Sequence, residues 1–231
     1  ATAAYSSMAE VSSLGDSISS LGLADMHLYR RDFDAAVQQL EQGIEADIAG
    51  DFTAQLAAKY IALAEAKRGL GDAAGATAAL QKGLEVSQGV ATRVPAALLS
   101  IELGDTDLAA ATADSLGEEL QPMSRAYGQA IKGAIASSEG RHAEALDALR
   151  AGIDLADLWL LRFYLGRTYF EADRFIEALD EFRVCHDRRG EAAAVFLDEK
   201  PTWHYVAQLN EWTAMARQET DTSVAAATSG D

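Results

Sequence analysis

Small and apolar residues recur along the chain with two periods at once. Over short range they return every three to four positions, the spacing that places them on one side of a helix. Over long range a whole block returns five times. Its fixed point is an alanine, at Ala36, Ala76, Ala109, Ala145 and Ala178, spaced by 40, 33, 36 and 33 residues. A polar turn leads into each of them: Arg31-Asp32-Phe33-Asp34, Gly71-Asp72-Ala73-Ala74, Gly104-Asp105-Thr106-Asp107, Gly140-Arg141-His142-Ala143 and Asp173-Arg174-Phe175-Ile176. Four residues after the alanine stands Leu40, Leu80, Ala113, Leu149 or Phe182; seven after stands Gly43, Gly83, Leu116, Gly152 or Cys185. Twelve before it stands Ala24, Ala64, Ala97, Gly133 or Gly166.

These columns predict helix pairs. Two helices approach closely only where the side chains at their crossing are small, with large apolar residues filling the space beside them. A short polar or glycine turn folds the second helix back on the first. One such pair cannot bury its apolar face alone, so the pairs are expected to stack. The predicted fold is therefore all-α: a right-handed superhelical solenoid of about five antiparallel helix pairs over residues 17–217, closed by a capping helix. The cap is read over residues 203–219, which carry Trp203, Tyr205, Leu209, Trp212 and Met215. Residues 1–16 read as a helical N-terminal extension, with Met8, Val11 and Leu14 at helical spacing. Residues 218–231 read as a polar tail, of a composition that is ordinarily disordered. The first spacing of 40 implies about six extra residues near Ile48–Gln55, which either lengthen helices or form a loop.

The pattern resembles the tetratricopeptide repeat family, whose motif places Leu-Gly and an aromatic in the first helix, then Ala, an aromatic or Leu, and a small residue in the second. The best copy is Leu165-Gly166, Tyr169, Phe175, Ala178, Phe182 and Cys185; the next is Leu63-Ala64, Gly71-Asp72, Ala76, Leu80 and Gly83. The third copy is degenerate, with Ala113 and Leu116 reversing the order of large and small. A narrower likeness covers Cys185–Arg217, which is similar to the last repeats of bacterial multidomain signalling proteins where such repeats follow a Ser/Thr kinase or cyclase. The resemblance implies a scaffold for protein–protein interaction, possessing no activity of its own. It also implies that the first helices line the binding face. The family's peptide-carboxylate clamp uses Lys, Asn and Arg on that face; here the columns hold Asp25, Glu65 and Ala134, which argues against that mode of binding.

Composition narrows the partners. Acidic residues outnumber basic ones by 36 to 19, giving a net charge of −17. The charge is spread evenly, with 16 acids against 7 bases up to residue 115 and 20 against 12 beyond it. Such a field opposes a nucleic-acid backbone, which is held by lysine and arginine, and no apolar run is long enough for membrane insertion. Acids at the pair turns, among them Asp32, Asp72 and Asp105, suit helix N-termini. Arginine exceeds lysine by 14 to 5, a bias typical of GC-rich bacterial genes. The Ala1-Thr2-Ala3-Ala4 start fits two origins. A signalling fragment would be cytoplasmic, and a chain released from a signal peptide would be exported.

Candidate chemistry is sparse. Cys185 sits in a column that demands a small side chain, so packing explains it. The histidines, His27, His142, His186 and His204, show no metal-ligand spacing, and no phosphate loop or acid–base pair stands out. No catalytic residue, metal site or cofactor is expected. The expected site is a surface on the first helix of pair five, formed by Leu160, Phe163, Tyr164, Arg167 and Phe170, with Trp212 and Met215 of the cap. Aromatics beside an arginine concentrate binding energy, and they would hold a peptide or protein partner. The competing expectation is that Phe163 and Tyr164 pack against the cap. Self-assembly with further copies of the chain, head to tail into an oligomer or filament, is the alternative function.

Overall fold

The computed structural model describes residues 1–196 and 200–229, with side chains to residue 222. Among these residues it is all-helical: α1 (Thr2–Ala9), α2 (Ser13–Tyr29), α3 (Phe33–Gly50), α4 (Thr53–Gly69), α5 (Ala73–Val86), α6 (Val90–Glu102), α7 (Thr106–Gly117), α8 (Pro122–Ser138), α9 (His142–Leu155), α10 (Trp159–Glu171), α11 (Phe175–Asp187) and α12 (His204–Ser229), with a 3-10 turn at Glu191–Ala193. Two compact units form. Unit 1 comprises Ala1–Leu108 and Ala193–His204, and unit 2 comprises Ala109–Ala192 and the chain from Tyr205 onward.

Within each unit, successive helices pack side by side: α1 on α2, α2 on α3, α3 on α4 and α4 on α5 in unit 1, and α8 on α9, α9 on α10 and α10 on α11 in unit 2. Alternate helices also touch, α2 with α4, α4 with α6, and α8 with α10. The alanine column is fully buried at all five positions. Close approach at the small column is real: a Cβ on Gly133 would lie 2.6 Å from Leu149 Cγ, and one on Gly166 would lie 2.5 Å from the Phe182 ring.

The five turns, 30–32, 70–72, 103–105, 139–141 and 172–174, are built alike. Each carries one left-handed residue, Arg31, Gly71, Gly104, Gly140 or Asp173. The next residue's N–H then bonds a carbonyl five positions back, as in Asp32 to His27 at 3.0 Å and Arg174 to Tyr169 at 2.9 Å. This closure satisfies carbonyls that the helix end would otherwise orphan. Asp72 and Asp105 then cap the following helix through Gly75 N–H at 2.9 Å and Leu108 N–H at 3.2 Å.

The extra residues after Ile48 lengthen α3 to 18 residues, against 14 in α5, and form no loop of their own. The N-terminal extension is a separate helix, and α2 starts at Ser13, capped by the Ser12 side chain. At the other end, α12 continues through the stretch read as a tail as far as Ser229. Residues 230–231 of that tail, and residues 197–199 of the narrower resemblance, lie outside the described residues.

Candidate functional site

Of the seven residues expected to form a surface on pair five, three lie inside. Leu160 and Phe163 are fully buried and Tyr164 nearly so. The Phe163 ring stacks on Trp159 at 5.3 Å, meets Tyr205 edge-on at 6.0 Å, and lies 6.5 Å from Phe182. Trp159 Nε1–H donates to the Cys185 carbonyl at 3.0 Å, which ties α10 to α11. The reason is legible in α10 itself. Trp159, Leu160, Leu161, Phe163, Tyr164, Leu165 and Tyr169 cover its whole circumference, and a helix apolar all round is buried. The neighbouring face of α8, with Tyr127, Ala130 and Ile131, is buried too.

What remains accessible is an edge. Arg167 lies over Trp212 at 4.9 Å and Tyr164 at 5.0 Å, and Phe170 meets Trp212 edge-on at 5.2 Å. Arg167, Phe170 and Trp212 are half-buried and Met215 is exposed. Along α12, Tyr205, Leu209, Thr213 and Ala216 form one buried stripe, as a cap requires. Cys185 is fully buried. Burial pushes its thiol far above the ordinary range, with Glu181 adding to the effect, so it is no nucleophile.

Unit 1 holds a polar face built from the first helices. Its centre is Asp25 on α2, only 2% exposed. The carboxylate accepts the main-chain N–H of Trp203 at 2.8 Å and that of His204 at 3.3 Å. His204 Nδ1 lies 2.7 Å from Asp25 Oδ1. Burial alone would lower the imidazole's affinity for its proton. The bond to Asp25, together with the charges of Asp25 and Glu65, outweighs burial and the opposing Arg68, leaving the pKa raised above 6.5. Arg68 on α4 sits between Glu65 at 2.6 Å and Glu102 of α6 at 3.1 Å. Tyr5 of α1 packs over Gly22 of α2, and burial first, then Asp25, raises its phenol pKa. Asp25 and Glu65 stand in clamp columns of the resembled family and lack the clamp chemistry. The pairing of Asp25 with His204 leaves no local trace in the sequence, since 179 residues separate them.

A second cluster in unit 1 is entirely internal. Lys59 Nζ on α4 donates to Asp47 Oδ2 of α3 at 2.6 Å and to Ser17 Oγ of α2 at 3.0 Å. Ser17 Oγ donates to Asp47 Oδ1 at 2.6 Å. The Lys59 and Asp47 side chains are wholly buried. Desolvation lowers the lysine pKa below 10.5, while the bond to Asp47 opposes that shift. A Ser–Lys pair at this distance could in principle serve nucleophilic catalysis. Here the hydroxyl spends its proton on Asp47 and no substrate can reach it. The cluster fastens three helices. Its sequence signal was a lysine at an apolar-face position, between Ala57 and Leu63.

Among the described residues, no group of three or more His, Cys, Asp or Glu side chains is arranged to hold a metal ion. No helix among them is long and apolar enough to cross a membrane. The fold and these clusters thus define an all-α protein of stacked neighbouring helices, with a carboxylate-centred face on the first helices of unit 1. Compared with models of known protein families and with curated proteins, the sequence matches none.

Proposed function

We propose that the chain is a non-catalytic interaction module of tetratricopeptide-like helix pairs that holds a peptide or protein on the first-helix face of unit 1. The supporting observation is Asp25. Its buried carboxylate already receives two main-chain N–H groups and an imidazole from a distant piece of polypeptide. Backbone N–H groups are common to all peptides, so this is peptide-holding chemistry. The arginine and carboxylates beside it supply side-chain selection. In this reading the pairs continue the right-handed stacking of such repeats, the partner is neither nucleic acid nor membrane, and the chain serves as the sensor region of a larger bacterial signalling protein.

Truncating Phe163 would empty a core and report on stability instead of binding. The test is made in unit 1. Peptides selected from a random library on the full chain should lose at least tenfold in affinity with Asp25→Asn or Arg68→Ala, measured by fluorescence anisotropy, while the circular dichroism spectrum stays helical. Selected peptides that ignore both substitutions, or no selected peptide at all, would sink the proposal.

Self-assembly keeps one observation in its favour. Met8, Val11 and Leu14 are exposed at the N-terminal end, Val11 at 79%. A head-to-tail contact there would appear in sedimentation velocity as a concentration-dependent rise in mass, and Val11→Asp would remove it.

A further inference from the structure

Unit 2 holds an open groove of about 630 Å³ between α11 and α12. Helix α11 brings Asp180, Arg183 and His186 to it, and α12 brings Asn210, Thr213 and Arg217. Residues three and four apart share one face of a helix, so each helix contributes one polar stripe. On a chain of net charge −17 this lining is reversed in sign. Two guanidinium groups, an imidazole and a carboxamide stand against a single carboxylate.

The positive charge is poorly answered. Elsewhere in unit 2, Arg162 is paired with Asp157 and Glu181, and Arg174 with Glu177. Among the described residues, Arg217 has no carboxylate within ion-pair distance. Arg183 is held by Asp180 at 3.4 Å, in a pair whose side chains are 68% and 66% exposed. Such a pair contributes little and yields readily to a second anion. His186 registers the same imbalance. Its pKa is lowered below 6.5, first by burial and then by Arg217, with Arg189 adding to the effect and Asp187 opposing it. The Thr213 hydroxyl donates to the Leu209 carbonyl at 2.7 Å, so it accepts from His186 Nε2–H at 3.1 Å. Nδ1 of the neutral ring therefore keeps its lone pair, and becomes a donor only when the ring is protonated.

We propose that this groove is a binding site for a phosphate monoester, held between Arg183 of α11 and Arg217 of α12. A guanidinium presents a planar fork that oxygens of phosphate or carboxylate satisfy in pairs. Forks reaching from two helices call for an anion with oxygens on more than one side. The three terminal oxygens of a monoester supply them, and the two of a carboxylate do not. A monoester's charge of about −1.5 to −2 at pH 7 also balances both arginines, and the Asn210 carboxamide offers a further donor. The surrounding negative field repels an extended polyanion, which leaves a compact one as the ligand. This site lies within unit 2, so it stands or falls apart from the peptide face of unit 1.

The test titrates inorganic phosphate, O-phosphoserine and a phosphoserine peptide into the full chain at low ionic strength and pH 7, followed by calorimetry. Saturable binding is expected. Arg183→Gln and Arg217→Gln should each weaken it about tenfold, the worth of one charge-assisted hydrogen bond. Arg125→Gln, which removes the same charge from α8 outside the groove, should leave it unchanged. Ala214→Glu, which puts a carboxylate into the groove and retains both arginines, should abolish it. All four positions are exposed, so circular dichroism should stay helical throughout. In NMR titrations the pKa of His186 should rise when phosphate is bound, because the anion cancels Arg217, and Arg217→Gln should remove that rise. A peptide that binds more tightly than O-phosphoserine supports the site with a peptide-borne phosphate as its source; equal affinities support it with a small phosphorylated ligand. Absence of saturable binding overturns the proposal. Acetate binding as tightly as phosphate, or an Arg125→Gln loss equal to that of Arg217→Gln, overturns it too.

Discussion

A single lysine shows how far side-chain identity can depart from its pattern. Lys59 occupies an apolar-face position of α4 and survives there because Asp47 balances its charge and the Ser17 hydroxyl accepts a further hydrogen bond. The partner, Asp47, lies in the last turn of α3, directly before the extra residues. Removing one member of a buried pair leaves an uncompensated charge, which costs about 3–5 kcal/mol, whereas replacing both by apolar groups is often neutral. Lys59→Met alone should therefore lower stability by about 3–5 kcal/mol. The double variant Asp47→Leu/Lys59→Met should recover most of that loss in urea unfolding. A double variant no better than the sum of the two singles would show that the pair is not coupled.

At the scale of elements, the turns and crossings separate two demands on glycine. At Gly104 the backbone is left-handed, φ +86°, and a Cβ would meet nothing within 4 Å. The loss in Gly104→Ala is then conformational alone, about 1–2 kcal/mol. At Gly166 the backbone is ordinary helix, but a Cβ would meet the Phe182 ring at 2.5 Å. Gly166→Ala should cost about 1–3 kcal/mol through overpacking, and Phe182→Leu in the same chain should relieve part of it. Relief of Gly104→Ala by any neighbouring truncation would contradict the distinction. These elements were the legible part of the sequence. Polar turn, alanine column and small column each report a local requirement, so they could be read without knowing the third dimension. On pair five, outward spacing alone does not tell which residues are exposed, and Leu160, Phe163 and Tyr164 are buried. Trp159, Leu161 and Leu165 on the remaining sides of α10 leave it only a narrow accessible edge at Arg162, Arg167 and Phe170. The Asp25 site was illegible for a different reason: its donors come from the far end of the chain, and no periodicity links Asp25 to His204.

For the whole molecule, the two units carry separate responses to pH. In unit 2, the Arg162 guanidinium bonded to Asp157 at 2.9 Å holds that carboxyl below its ordinary 3.8, and Arg188 adds to this against burial. A carboxyl with a depressed folded pKa contributes stability that is present above its unfolded value and lost as pH falls through the folded one. In unit 1, His204 faces Asp25 of α2 and Glu65 and Arg68 of α4, and its pKa is raised above 6.5. Its contribution has the opposite sign: it is complete below 6.5 and lost as pH rises through the folded pKa. The net charge of −17 cannot separate these effects, because it sums over a surface whose charges are mostly solvated. Local probes can separate them. Amide exchange in α2 should accelerate, after correction for intrinsic rates, as pH rises above 6.5, and His204→Ala should flatten that dependence without altering α10. Exchange in α10 should accelerate as pH falls below 3.8, with Asp157→Asn making the acid limb shallower. An α2 whose protection is indifferent to His204 would mean that the Asp25 site is held by its main-chain donors alone, and that the imidazole contributes selectivity without hold.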